Sequence, residues 1–246
     1  MSGVVLVTGG SRGIGAAIAH GAAAHFEGVA ITYASNSEAA DATRSGIEVT
    51  GVACCAVRKG AGTPGEAEAL LDTVEFALGP VTALVNNAGV TGPISPFTEV
   101  SFRTMQEVVA VNLIAPMLLS QAIIRRWRER KIGGRIVNIS SVAARLGAPG
   151  EYIPYAAAKA GIETFTRGLA KEVAPLGIRV NAVAPGTTMT GIHAAAGEPD
   201  RPARVARKIP MGRVGEPEEI ANAVLWLLSD EASFVTGETI TVAGGL

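Results

Sequence analysis

The junction Val4-Val5-Leu6-Val7-Thr8-Gly9-Gly10-Ser11-Arg12-Gly13-Ile14-Gly15 restricts the fold more than any other stretch. Four apolar residues without polar alternation fit a strand covered on both faces, as in a parallel sheet. A helical pattern follows over 16–25. Strand, glycine-rich turn and helix, in that order, make a unit that cradles phosphate. Gly9 permits the tight turn. Gly13 and Gly15 let backbone approach a pyrophosphate and let the helix pack on the sheet. The spacing is G-x-x-x-G-x-G, which differs from the common G-x-G-x-x-G fingerprint. A dinucleotide is the ligand to expect.

The remaining pattern alternates in the same way. Strands are expected over 29–33, 50–57, 81–85, 135–139, 178–184 and 239–242. Helices are expected over 38–49, 66–78, 97–130 (one long helix or two abutting), 155–173 and 216–228. Pro217 suits the first turn of the last one. Alternating strands and helices predict an α/β fold with a doubly wound parallel sheet. With 246 residues, 48% hydrophobic and 17% charged, the chain reads as one domain, 1–246, around a large core. The cofactor half is expected over about 1–140 and the catalytic and substrate half over about 141–246. Residues 189–208, small and poorly patterned, are expected to form a mobile lid.

A net charge of −1 predicts no general attraction to nucleic acid or to an anionic membrane surface. Neither a secretory signal nor a membrane span is expected. Cys54 and Cys55 are read as buried thiols of a reducing compartment, neither a disulfide framework nor a metal site. A cytoplasmic location follows as the expectation.

Chemistry concentrates in Tyr155-Ala156-Ala157-Ala158-Lys159. Residues four apart share one helix face, about one turn or ~6 Å apart. A phenol with its usual pKa of about 10 is a poor acid or base at neutral pH. A neighbouring ammonium favours the phenolate and lowers that value. Tyr152 lacks such a partner, because position 156 is Ala. Strand ends supply further candidates: Asn86-Asn87-Ala88-Gly89, whose amides could serve a cofactor ribose, and Ser140-Ser141. Asn112 is a polar residue inside a helix, the mark of a satisfied core amide or a local distortion near a site. The second strand ends without the acid that usually holds a ribose 2′-hydroxyl, and Arg12 lies in the glycine loop. Both favour a 2′-phosphate, so NADP(H) is the preferred cofactor and NAD(H) the alternative.

In order and spacing these residues resemble the short-chain dehydrogenase/reductase family, in its form of roughly 250 residues, over nearly the whole chain. The resemblance implies a Rossmann-like, seven-stranded sheet of order 3-2-1-4-5-6-7. It implies Tyr155 as general acid/base, Lys159 lowering its pKa and binding the nicotinamide ribose, Ser141 on the substrate oxygen (Ser140 the weaker candidate) and Asn112 supporting a water relay. It implies a cofactor shell of Gly9, Ser11, Arg12, Gly13, Ile14 and Gly15, then Asn87, Ala88 and Gly89, with Tyr155 and Lys159. Pro185, Gly186, the Thr188 backbone and Thr190 complete it at the nicotinamide. A homotetramer built on the long helices and on the last helix and strand is also implied.

The chain departs from the family pattern in places. Ala56-Val57 stands where Asp-Val is common, so an adenine contact is missing. Arg58 or Lys59 is expected to supplement Arg12 at the 2′-phosphate. The closing Val242-Ala243-Gly244-Gly245 lacks the usual Asp. The expected activity is NADPH-dependent carbonyl reduction on a small-molecule substrate, resembling 3-oxoacyl-ACP reductases. Arg130 and Lys131 could meet an acidic carrier, whereas Leu176 stands where those reductases are often basic. The alternative is an alcohol or glucose-dehydrogenase-like enzyme working oxidatively. A nucleotide-binding protein without catalysis is the remote third reading.

Overall fold

The computed structural model describes residues 3–58, 60 and 62–246. Seven parallel strands lie in the order β3-β2-β1-β4-β5-β6-β7. In chain order the elements are β1 Val4–Val7, α1 Gly13–Ala22, β2 Gly28–Tyr33, α2 Ser37–Glu48 and β3 Ala53–Arg58. Next come α3 Pro64–Leu78, β4 Val81–Asn86, α4 Phe102–Val109, α5 Ala115–Arg130 and β5 Gly134–Ile139. The second half has α6 Ala143–Leu146, α7 Ile153–Val173, β6 Ile178–Pro185, α8 Ile192–Ala195, α9 Arg201–Ala206, α10 Pro217–Leu228 and β7 Thr239–Val242.

The sheet separates two apolar layers, and β1 shows why its sequence is apolar throughout. Val5 and Val7 face Ile18 of α1 and Val224 and Leu227 of α10. Val4 and Leu6 face Leu70 of α3 and Leu119, Ile123 and Trp127 of α5. Both faces are dry, so each of the four residues gains its burial energy, ~1.5–3 kcal/mol per large side chain. Trp127 places its one polar atom as well, Nε1 donating to the Val81 carbonyl at 2.6 Å.

Side chains set several helix starts. Asn36 accepts from the Ala39 N–H, Thr63 from Glu66 and Ser101 from Thr104. Glu216 and Glu219 close a capping box at α10. Some expected boundaries move. α1 begins at Gly13 and not at 16, because the glycine loop itself supplies the first turn, and it ends at Ala22. β3 starts at Ala53, three residues later than expected, because the chain turns over 49–51 with Gly51 at φ +87°.

The expected long helix begins at Phe102 and runs through a π turn, Ala110–Ile114, into α5. Asn112 sits in that turn, so a local distortion is present at this position. The composite helix Phe102–Arg130 is long and apolar enough to cross a membrane by length and composition alone. In this fold its Leu119, Ile123 and Trp127 are fully buried against the sheet. Between β5 and α7 the chain forms α6, and the 189–208 segment folds into α8 and α9.

Candidate active site

A cavity of about 1110 Å³ opens at the carboxyl ends of the strands, where open parallel sheets bind ligands. The glycine loop forms one end. Gly9 and Gly13 take φ of +65° and +53°, which disfavour any other residue. A Cβ on Gly15 would lie 2.3 Å from the Gly9 carbonyl oxygen. α1 starts without a side-chain cap and without an acid in its first turn, so its N–H groups remain for an anion. Ser11, Arg12 and Ile14 line the same end, with Arg12 exposed. This cradle fits a dinucleotide pyrophosphate.

Thr8 fastens the loop to β4. Its Oγ1 accepts from the N–H groups of Asn87 and Ala88, both at 3.0 Å. Asn87 Nδ2 donates to the carbonyls of Thr8 (2.9 Å) and Gly9 (3.1 Å). Asn86 Nδ2 donates to Ser120 and Asn138. The side-chain N–H groups of both amides are thus engaged with protein. Asn87, Ala88 and Gly89 still form the cavity wall.

The second end carries the reactive groups. Ser140 N–H donates to Val183 and Val142 N–H to Pro185, which extends the β5–β6 pairing and presents Ser141 at the strand end. Ser140 Oγ is spent on Glu163 at 2.9 Å, so Ser141 is the serine left to the cavity. Lys159 is buried, with Nζ 2.7 Å from the Ile139 carbonyl and 5.5 Å from the Tyr155 ring centroid. Burial lowers its pKa to about 8. Burial raises that of Tyr155, while a hydrogen bond from Ser141 and the charge of Arg201 pull it down. The net direction is therefore the reverse of the expected one. Desolvation outweighs the groups that favour the phenolate, Ser141 and Arg201.

Pro185, Gly186, Thr188 and Thr190 line the wall opposite. Thr190 lies over Gly13, and His193 Nε2 pairs with the Thr188 carbonyl at 3.0 Å. Asn112 is a satisfied amide within the π turn. It is fully buried, accepts from Val90 N–H at 3.2 Å, and donates to the Val90 and Val108 carbonyls at 2.7 and 2.8 Å. It ties down the loop that holds Gly89 between Asn112 and Lys159. Arg58 Nε donates to the Ala34 carbonyl, beside the end of β2 that lines the cavity. Lys59 lies outside the described residues.

The seven-stranded order β3-β2-β1-β4-β5-β6-β7 is matched by the comparisons. Residues 9–246 match the family model described as enoyl-(acyl carrier protein) reductase. A short-chain type dehydrogenase/reductase from Mycobacterium marinum superposes with a TM-score of 0.92 at 30% identity, covering 98% of this chain and 94% of that one. The chain belongs to the short-chain dehydrogenase/reductase family. It is an oxidoreductase of the kind that uses a nicotinamide dinucleotide. Among curated relatives, acetoacetyl-CoA reductase of Rhizobium meliloti is 43% identical, covering 100% of this chain and 98% of the relative. 3beta-Hydroxysteroid dehydrogenase 1 of Eggerthella lenta is 42% identical, covering 98% and 92%.

Sequence reasoning missed four residues of this dehydrogenase/reductase site: Glu151, Tyr152, His193 and Arg201, all on the cavity wall. Glu151 and Arg201 pair at 2.7 Å across 50 residues, and no local pattern announces such a pair.

Proposed function

We propose that this enzyme binds NADPH and reduces a ketone carbonyl to a secondary alcohol. The observation that carries the reading is the convergence of Ser141, Tyr155 and Lys159 on one wall of the cavity that the glycine loop also lines. Gly9 to Gly15 hold the pyrophosphate. Arg12, helped by Arg58, meets a 2′-phosphate where no acid stands after β2. Thr190 and the Thr188 backbone take the carboxamide. When bound, the nicotinamide supplies the hydride for the carbonyl carbon. Ser141 donates a hydrogen bond to the carbonyl oxygen, and Tyr155 hands that oxygen its proton. Lys159 lies beside the phenol and serves the adjoining ribose. The protein contributes orientation and electrostatics.

The substrate is read as a small molecule or a thioester that brings no carrier protein. The basic helix end offered to a carrier is partly neutralised. Arg126 pairs with Glu68, Asp72 and Glu75, and Arg130 with Glu75. A homotetramer in the cytoplasm completes the proposal, with no nucleic-acid or membrane partner. Phe102, Val109 and Ile114 leave an apolar stripe exposed on α4 and the π turn, suited to a second copy.

A panel of ketones, acyl thioesters and sugars assayed with NADPH and NADH tests the reading. Tyr155→Phe is expected to lose at least ~100-fold in turnover while NADPH affinity, followed by fluorescence titration, stays within twofold. Substantial activity in that variant removes Tyr155 from its role, and a preference for NADH removes Arg12 from its role.

A further inference from the structure

Tyr152 is the residue that sequence alone sets aside. It stands at the N-cap of α7, three positions before Tyr155, so one turn brings the two together. Their ring centroids are 5.5 Å apart with planes at 88°, the edge-to-face arrangement that the ring quadrupoles favour. A third layer comes from the lid. The Arg201 guanidinium carbon lies 5.4 Å from the Tyr152 ring centroid, within cation–π range. Arg201 is itself fixed: it is 12% exposed, Nη2 donates to Glu151 at 2.7 Å, and Nη1 reaches Thr187 Oγ1 at 3.4 Å. Arg204 holds the other oxygen of Glu151 at 3.0 Å. The Ala196 carbonyl of the lid accepts from Ile94 N–H at 3.1 Å.

We propose that Tyr152 and Arg201 are positioning residues for Tyr155: the docked lid stacks Arg201 on Tyr152, and Tyr152 wedges the Tyr155 ring in its working orientation. The proposal rests on Tyr155 being the proton donor. Its consequence is that proton transfer becomes competent when the lid closes over the substrate. An open lid removes the guanidinium that backs the Tyr152 wedge, and with it a positive charge from the phenol's surroundings.

The charged and titratable groups about Tyr155 come from several elements. Lys159 and Tyr152 lie on its own helix or at its start. Ser141 faces it from the end of β5. Arg201 belongs to α9, with Glu151, Arg204 and Glu198 behind it. His193 of α8 and Glu107 of α4 line the same cavity. Arg201 is the cation the lid brings toward the phenol. Losing that charge raises the phenol's pKa, so the alkaline limb of the reductive rate, where the acid loses its proton, moves to higher pH.

The test is steady-state reduction of the best panel substrate at saturating NADPH, from pH 6 to 10, with NADPH affinity measured for every variant. Tyr152→Ala is expected to lower kcat roughly tenfold, while Tyr152→Phe, which keeps the ring, stays near wild type. Arg201→Gln is expected to lower kcat by a similar factor and to move the alkaline limb up by about half a unit. Arg201→Lys, which keeps the charge, is expected to restore the limb. Wild-type kcat in Tyr152→Ala, or a limb that stays in place in Arg201→Gln, overturns the proposal. Should Arg201→Gln fail to bind NADPH, the pair Tyr152→Ala and Tyr152→Phe decides alone. Tyr155→Phe separates the two levels. Activity in that variant overturns the reading of the site, whereas its silence beside unaffected Tyr152 and Arg201 variants overturns only this inference.

Discussion

Lys159 shows how burial and function pull on one side chain. Its ammonium is buried and donates to the Ile139 carbonyl, and burial depresses its pKa from the usual 10.5 to about 8. Below pH 8 both folded and unfolded chains carry the charge, and the fold bears the full cost of burying it. Between pH 8 and 10 the folded chain sheds the proton while the unfolded chain keeps it, so stability rises with pH. The cofactor-free enzyme should therefore gain up to ~2–3 kcal/mol relative to Lys159→Met over this window. Paired thermal melts of the two proteins at pH 7 to 10 measure it, and a gap that stays constant contradicts the burial argument. The Tyr–Lys spacing was readable in the chain because helical geometry is local. The direction of the Tyr155 shift was not, because it depends on desolvation by residues far away in sequence.

At the scale of elements, the π turn is the structural feature that a helix-period reading could only flag. Asn112 inside an apolar stretch announced a distortion. Its partners, Val90 and Val108, became known only when the β4 loop was brought beside the helix. Asn112→Ala strands three backbone groups that it now satisfies, at ~1–3 kcal/mol for each one left unpaired and buried. A fall in Tm of at least about 6 °C is expected, with weaker turnover because the Gly89 loop loosens. Calorimetry that shows an unchanged Tm would refute this account. The last helix teaches the reverse. By its sequence the α10 face Ala221, Val224, Leu225 and Leu228 suits an interface and a core equally; in the fold Ala221, Val224 and Leu228 are buried with α1 and the sheet, and Leu225 is partly buried. On that side Trp226 and Phe234 are the exposed apolar residues.

Across the whole molecule, α9, in the segment proposed as a lid, is joined to the start of α7 by ion pairs that close a gap of about fifty residues. Burial would push the Glu151 carboxyl up, but hydrogen bonds from Arg201 and Arg204 outweigh it and hold it below the usual carboxylate range. That stabilisation is present above the carboxylate's unfolded pKa and is lost as pH falls through the depressed folded value. Glu151→Gln removes it at neutral pH. Amide exchange over 201–206 is expected to quicken several-fold while α1 and β4 stay protected; uniform protection across the chain would show that the ion pairs do not hold the lid. Light scattering after size exclusion checks the proposed tetramer, and a monomer would leave the Phe102–Ile114 stripe without its second copy.

The sequence by itself determined the sheet, its order through the family resemblance, the phosphate loop and the Ser141, Tyr155 and Lys159 set. These rest on short-range patterns: buried strands, glycine turns and a helical spacing of four. Only the tertiary structure decided the tasks of Asn86, Asn87 and Asn112, the burial that sets the two pKa directions, and the stack of Arg201 on Tyr152. Those depend on atoms brought together across 20 to 80 residues, where side-chain period carries no information and packing alone chooses the partner.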